Sequence, residues 1–160
     1  MPVDVNTPPP EAYDILISDI SEEDITQLGE ELQTFNLSDA VTEGTFPIAG
    51  TFYGENLRLF VPLTVKKRKA CKWVLFLLDT GSPYTFLRTD TYRELGFQEF
   101  VPSTTQVSIN GVSISVSPSH GNFENINLLG QNFLKAANVN LAINYKAGTV
   151  ALQLAAELSE

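Results

Sequence analysis

The chain has 160 residues, a net charge of −9, one cysteine and one histidine. That length holds a single core. A lone Cys71 excludes an internal disulfide and a cysteine zinc cluster, and a lone His120 argues against Ser-His and Cys-His catalysis.

The charge is unevenly spread. Residues 1–45 carry eleven acids and no Lys or Arg, whereas the rest holds eight acids and all ten bases. A negative first third repels phosphates, so nucleic acid is not an expected partner. No apolar run approaches the roughly 20 residues of a membrane span, so no membrane is expected either. The start, Met1-Pro2-Val3-Asp4, lacks the basic and apolar regions of a signal peptide. With reduced-cysteine usage, this predicts a cytoplasmic, intracellular protein. The shift in composition near Glu43-Gly44 predicts an acidic N-terminal extension over 1–44, a body over 45–155 and a tail over 156–160.

Residues 1–12 contain Pro8-Pro9-Pro10 and little to bury, which predicts a flexible tail. Ser21 followed by Glu22-Glu23-Asp24 marks a helix start, with Ser21 as N-cap and acids in the first turn. Ile25, Leu28, Leu32 and Phe35 recur at helical spacing, so a helix is predicted over 22–34, weakened by Gly29. Its apolar stripe needs a surface: the body itself, a cleft to cover, or a partner.

From Thr45 the pattern turns strand-like. Segments 46–53 and 57–65 are rich in β-branched, aromatic and Leu residues. Lys66-Lys67-Arg68-Lys69 reads as a solvated hairpin loop, or as a docking point for the acidic segment. Segment 72–78 is apolar on both faces, as in the centre of a barrel or sandwich. A short strand over 84–87 follows, then Thr89-Asp90 caps a helix over 91–95 that Gly96 ends. Asn110-Gly111 lies between alternating segments 106–109 and 112–116, a strong hairpin signal because a type I′ turn needs positive φ at both central residues. Leu128-Leu129-Gly130 leads into a helix over 131–137, and strands over 141–145 and 149–154 close the chain. The predicted class is all-β with short helices.

One acid stands out. Asp79 ends the run Trp73-Val74-Leu75-Phe76-Leu77-Leu78 and opens Asp79-Thr80-Gly81-Ser82. A buried carboxylate costs several kcal/mol unless paired, hydrogen-bonded or protonated. Either the strand emerges into water at Asp79, or the fold holds the acid for chemistry. Two carboxylates held close share one proton: the charged one takes a proton from water, and the protonated one gives a proton to a carbonyl. Gly81 permits the tight turn such an approach requires, and the hydroxyls of Thr80 and Ser82 can fix the loop and donate to the carboxylate.

Over about residues 45–155 the chain resembles the retropepsin family, the retroviral and retrotransposon aspartic proteases and their cellular relatives. The resemblance rests on Leu77-Leu78-Asp79-Thr80-Gly81-Ser82 with Thr85-Phe86-Leu87 after it, on Asn127-Leu128-Leu129-Gly130-Gln131-Asn132-Phe133-Leu134, and on the strand over 141–145. It implies a retropepsin-like closed barrel or sandwich and an aspartic endopeptidase acting on a peptide or protein substrate, with no cofactor and no metal. Asp79 would be catalytic; Thr80 would brace two loops across a dimer; Gly81 would offer backbone atoms to substrate. Ser82 stands where the family has Ala or Ser. Leu128, Leu129 and Gly130 would form the supporting loop, with Gly130 beneath the active one. One motif per chain implies a homodimer with two-fold symmetry, for which the C-terminal strands over 141–154 are the candidate interface. The family's glycine-rich flap hairpin has no counterpart, since only residues 97–105 separate the first body helix from the Asn110-Gly111 hairpin. The flap is therefore expected to be reduced or absent. The alternative function is a weak or inactive module kept for dimerisation or binding, and a further possibility is that residues 1–45 serve as a lid or an autoinhibitory segment.

Overall fold

The computed structural model describes residues 8–155, so residues 1–7 and the expected tail at 156–160 lie outside the described residues. Nine strands form the sheet: β1 (Ile48–Tyr53), β2 (Arg58–Lys67), β3 (Ala70–Leu78), β4 (Thr85–Leu87), β5 (Thr105–Ile109), β6 (Val112–Pro118), β7 (Leu128–Leu129), β8 (Val139–Asn144) and β9 (Thr149–Leu154). Three α-helices accompany them: α1 (Glu22–Leu32), α2 (Thr89–Glu94) and α3 (Gln131–Ala137). The chain is all-β with short helices, and none of the described helices is long and apolar enough to cross a membrane.

Strand order closes the sheet on itself. It runs β3-β7-β4-β6-β5-β2, and β2 pairs back to β3, while β1-β9-β8 continue from β2 as an open wing. The long β2 makes this possible because its two ends pair with different neighbours. Its first residues pair with β1, its last with β5, and most of its length with β3. The hairpin turn between β5 and β6 has Asn110 at φ 46° and Gly111 at φ 82°, as its Asn-Gly sequence demands.

Side-chain alternation along β2 and β3 then creates two apolar regions. Val61, Leu63, Val65, Val74, Phe76 and Leu78 face the ring interior with Val107, Ile109, Val116 and Phe133. Phe60, Leu75 and Leu77 point to the other side, where Phe86, Phe123, Ile126 and Leu128 join them. This outer face is not left to water. Ile17, Ile20, Ile25 and Leu28 of the N-terminal segment cover it, and Leu28 is fully buried there.

The helix signal at Ser21 is met in detail. The Ser21 hydroxyl accepts from the Asp24 amide at 3.2 Å, and the Asp24 carboxylate accepts from the Ser21 amide at 2.6 Å. The helix stops at Leu32, short of the predicted 34, because Gln33 turns left-handed at φ 55° and Thr34 donates to the Gly29 carbonyl at 2.9 Å. The chain then folds back over Gly29, where a Cβ would sit 3.0 Å from the Phe35 ring. Phe35 therefore lies outside the helix, 55% exposed, and not in its buried stripe. Beyond it, residues 36–40 cover the open edge of β3: Asn36 Oδ1 accepts from Leu75 N at 3.0 Å, and Leu37 and Ala40 donate to the Trp73 and Cys71 carbonyls.

Further differences from the sequence reading are local. α2 starts after Arg88, with no side-chain cap; Asp90 pairs with Arg88 instead. The acidic segment meets the basic hairpin at its stems, through Glu43–Lys66 at 3.8 Å and Asp39–Lys72 at 2.6 Å, and not at the Arg68-Lys69 turn. Residues 8–12, expected as part of a flexible tail, are tied down. Pro10–Ala12 forms a 3₁₀ turn, and the Pro8 and Pro10 carbonyls are bonded by the Tyr84 hydroxyl and His120 Nε2.

Candidate active site

β3 delivers Asp79 to the rim of the ring, and β7 holds it there. Leu77 and Leu78 pair in parallel with Leu128 and Leu129, and the Asp79 amide donates to the Leu129 carbonyl at 2.9 Å. Ser82 N donates to the Asp79 carbonyl at 3.2 Å and closes the turn, and Gly81 N donates to Asp79 Oδ1 at 2.8 Å. That last bond fixes the orientation of the carboxylate. Asp79 is half-buried, while Thr80 and Gly81 are exposed. The loop thus presents one oriented, half-buried carboxylate flanked by exposed Thr80.

Ser82 fixes the loop as the sequence suggests, but without donating to the carboxylate. Its hydroxyl is buried and donates to the Tyr84 carbonyl at 2.8 Å, not to Asp79. The hydroxyl braces the loop, and the carboxylate takes its bond from the Gly81 backbone. The Ser82 carbonyl accepts from Gln131 N at 2.7 Å, and the Pro83 carbonyl from Asn132 N at 3.2 Å. These two bonds lash the loop to the start of α3.

Gly130 sits where the two segments cross. A Cβ there would lie 1.9 Å from the Tyr84 oxygen and 2.8 Å from the Ser82 oxygen, both backbone atoms. Its amide donates to Thr85 Oγ1 at 3.1 Å, and Thr85 in turn donates to Asn132 Oδ1 at 2.7 Å. Leu128, Leu129 and Gly130 are therefore gathered with Asp79, Thr80, Gly81 and Ser82 in one interlocked unit.

Three residues at the site had no role assigned from the sequence. Asn127, 3% exposed, accepts from Arg88 N and Thr91 Oγ1 at 2.9 Å each, fixing β4 and α2 to the supporting loop. A polar residue inside Ile126-Asn127-Leu128-Leu129 was its available signal. Arg58 is bidentate to Asp19 at 2.9 and 3.0 Å. Those bonds chiefly hold it charged beyond its ordinary range, and the negative field of Asp79 adds to the effect. Tyr13 donates its hydroxyl to the Gly81 carbonyl at 2.9 Å across 68 residues of sequence, for which no local pattern exists.

No known family profile matches the chain, and no curated protein matches it at a significant level. Among solved structures it is similar to the crystal structure of a retropepsin-like aspartic protease from Rickettsia conorii. The identity is 17%, the match covers 72% of this chain and 96% of that one, and the TM-score is 0.46.

Proposed function

We propose that this chain is an aspartic endopeptidase in which Asp79 of two copies activates a water for attack on a peptide bond. The observation that carries the reading is the Asp79 loop itself: a carboxylate oriented by the Gly81 amide, on a turn locked by the Gly130 crossing. Such a carboxylate, facing its symmetry mate, leaves one proton shared between the two. The ionised member takes a proton from the water as it attacks. The protonated member gives a proton to the carbonyl oxygen, and the tetrahedral species then collapses with proton transfer to the leaving nitrogen. The Gly81 N–H sets the orientation of the carboxylate, and exposed Thr80 would brace the partner loop. In this reading residues 45–155 are the catalytic body.

The second carboxylate has to come from a second copy. The end of the sheet at β8 supports a pairing surface, because β8 bonds β9 on one side and stands last in strand order. Its Val139, Leu141 and Ile143 face the core while Asn140, Ala142 and Asn144 are exposed. A second reading, a weak or inactive dimerisation or binding module, is favoured by one feature. Residues 97–104 form no hairpin between α2 and β5, so no flap-like clamp stands there.

The test is cleavage of an unstructured protein at acidic pH by the wild type and by Asp79→Asn, with sedimentation equilibrium on both. The expected result is a dimer in each case, cleavage insensitive to chelators, and a loss of at least about 100-fold in Asp79→Asn. Equal digestion by the two proteins would sink the protease reading, and a strict monomer at high concentration would sink the shared dyad. A wild-type dimer without cleavage would select the second reading.

A further inference from the structure

We infer that residues 13–17 lie on the peptide-binding face of the Asp79 site as a built-in substrate mimic. The folded chain is then partly self-blocked, cleaving more slowly than with the segment displaced, and its substrates are extended peptides with large apolar side chains at alternate positions. The inference rests on the protease reading for the chemistry, but not for the binding.

The segment has the form of a bound peptide. It contains no helix or strand, and burial alternates along it: Tyr13, Ile15 and Ile17 face inward, while Asp14 and Leu16 face water, with Leu16 69% exposed. Period-two alternation belongs to an extended chain laid on a surface. The surface beneath it is built from the residues that flank the catalytic loop. Leu77 precedes Asp79 by two positions on β3, Phe86 follows the loop on β4, and Leu128 pairs in register with both. All three belong to the apolar cluster that Ile17 completes and that Tyr13 and Ile15 pack against.

The polar contacts point the same way. The Tyr13 hydroxyl donates to the carbonyl of Gly81 on the Asp79 loop at 2.9 Å and occupies that acceptor. The Tyr13 ring packs edge-on against Tyr84, just beyond that loop, with centroids 6.0 Å apart. Asp14 accepts from the amide and side chain of Asn122 at 3.2 and 2.9 Å. In contrast, backbone attachment is sparse: among the described residues, Ile17 N to the Asn122 carbonyl, at 3.4 Å, is the one backbone-to-backbone bond from residues 13–17 to the body. Side chains hold this segment, so it can loosen locally between the tied-down residues 8–12 and α1, which stays rooted through fully buried Leu28. Both the shape of the occupant and the chemistry of the floor then select aliphatic and aromatic side chains in an extended peptide.

Two arms on the full chain test this. In the first, Tyr13→Ala/Ile17→Ala is compared with wild type on a quenched peptide carrying Tyr, Ile and Ile at alternate positions. The expected result is at least about a tenfold rise in kcat/KM. In the second, the same double substitution is placed on Asp79→Asn, and binding of a fluorescent synthetic peptide of residues 11–18 is measured by anisotropy. That peptide should bind the loosened protein at least about tenfold tighter than Asp79→Asn alone. Near-UV circular dichroism verifies folding. If the double variant is unfolded, Tyr13→Phe carries the same two tests, because it keeps the ring and loses one hydrogen bond, with about a fivefold effect expected. Unchanged peptide binding in a folded variant, or wild-type cleavage as fast as that of the loosened protein, overturns the inference. Peptide binding that appears on loosening while no variant cleaves overturns the protease reading alone.

Discussion

Replacing Gly130 by Ala probes the crossing that holds the Asp79 loop. The added Cβ would lie 1.9 Å from the Tyr84 oxygen, 2.5 Å from its carbonyl carbon and 2.8 Å from the Ser82 oxygen. Ordinary contact starts at 3.4 Å, so the Tyr84 carbonyl must retreat by about 1.5 Å. No side-chain rotation relieves this, because every clashing atom is backbone. Overpacking of this kind costs roughly 1–3 kcal/mol. The retreat also stretches Gln131 N to Ser82 O, Asn132 N to Pro83 O and Gly130 N to Thr85 Oγ1, and weakening the three adds about 2 kcal/mol to a mid-range overpacking cost of about 2 kcal/mol. The expected loss is therefore about 4 kcal/mol, a large share of the roughly 5–15 kcal/mol of a typical domain. Urea unfolding measures it as a fall in midpoint with an unchanged slope. For a chain of this size the thermal midpoint should drop by about 8–16 °C. A Gly130→Ala protein within about 0.5 kcal/mol of wild type would refute the argument that these backbones cross in contact.

Two other outcomes follow from the N-terminal segment. Leu28→Ala empties a fully buried position between α1 and the outer sheet face, so whole-chain stability should fall by about 3 kcal/mol in one transition. A separate early melting of helix signal, with the main transition unmoved, would contradict this packing. Asp19 has its pKa lowered from 3.8 to about 2, first by its hydrogen bond from Arg58, with Asn56 adding to it and burial opposing. A lowered carboxylate stabilises the fold above its unfolded pKa, and that stability is lost as pH falls from about 4 towards 2. Asp24 on the same segment is lowered as well, first by the Tyr53 hydroxyl. Wild type should thus exceed Asp19→Asn by about 1–2 kcal/mol near neutrality, and the gap should close below about pH 4. Urea midpoints of both proteins across that range check it, and a gap constant down to pH 2 would exclude the Arg58 linkage.

The amino-acid sequence by itself determined the elements whose cause is local. The Asn-Gly turn imposes positive φ at residues 110 and 111, the Ser21 cap starts α1, and alternation marks β5 and β6. The α3 and β9 boundaries match the expected 131–137 and 149–154. The candidate site was legible as Asp79-Thr80-Gly81-Ser82 and Leu128-Leu129-Gly130 because an acid after an apolar run, and a glycine after another, are anomalies within a few residues. Tertiary structure decided what lies far apart along the chain. It sent the Ser82 hydroxyl to the Tyr84 carbonyl, and it gave Asn127 the Arg88 amide and Thr91 hydroxyl. It also laid Tyr13 against Gly81. Periodicity reports which face of an element is apolar, but not which distant segment will cover it. The outer face of β3, apolar in sequence, could have met a partner, a substrate or the chain itself. Only the closed ring, with β3 inside it and residues 13–28 folded back across it, chose among them.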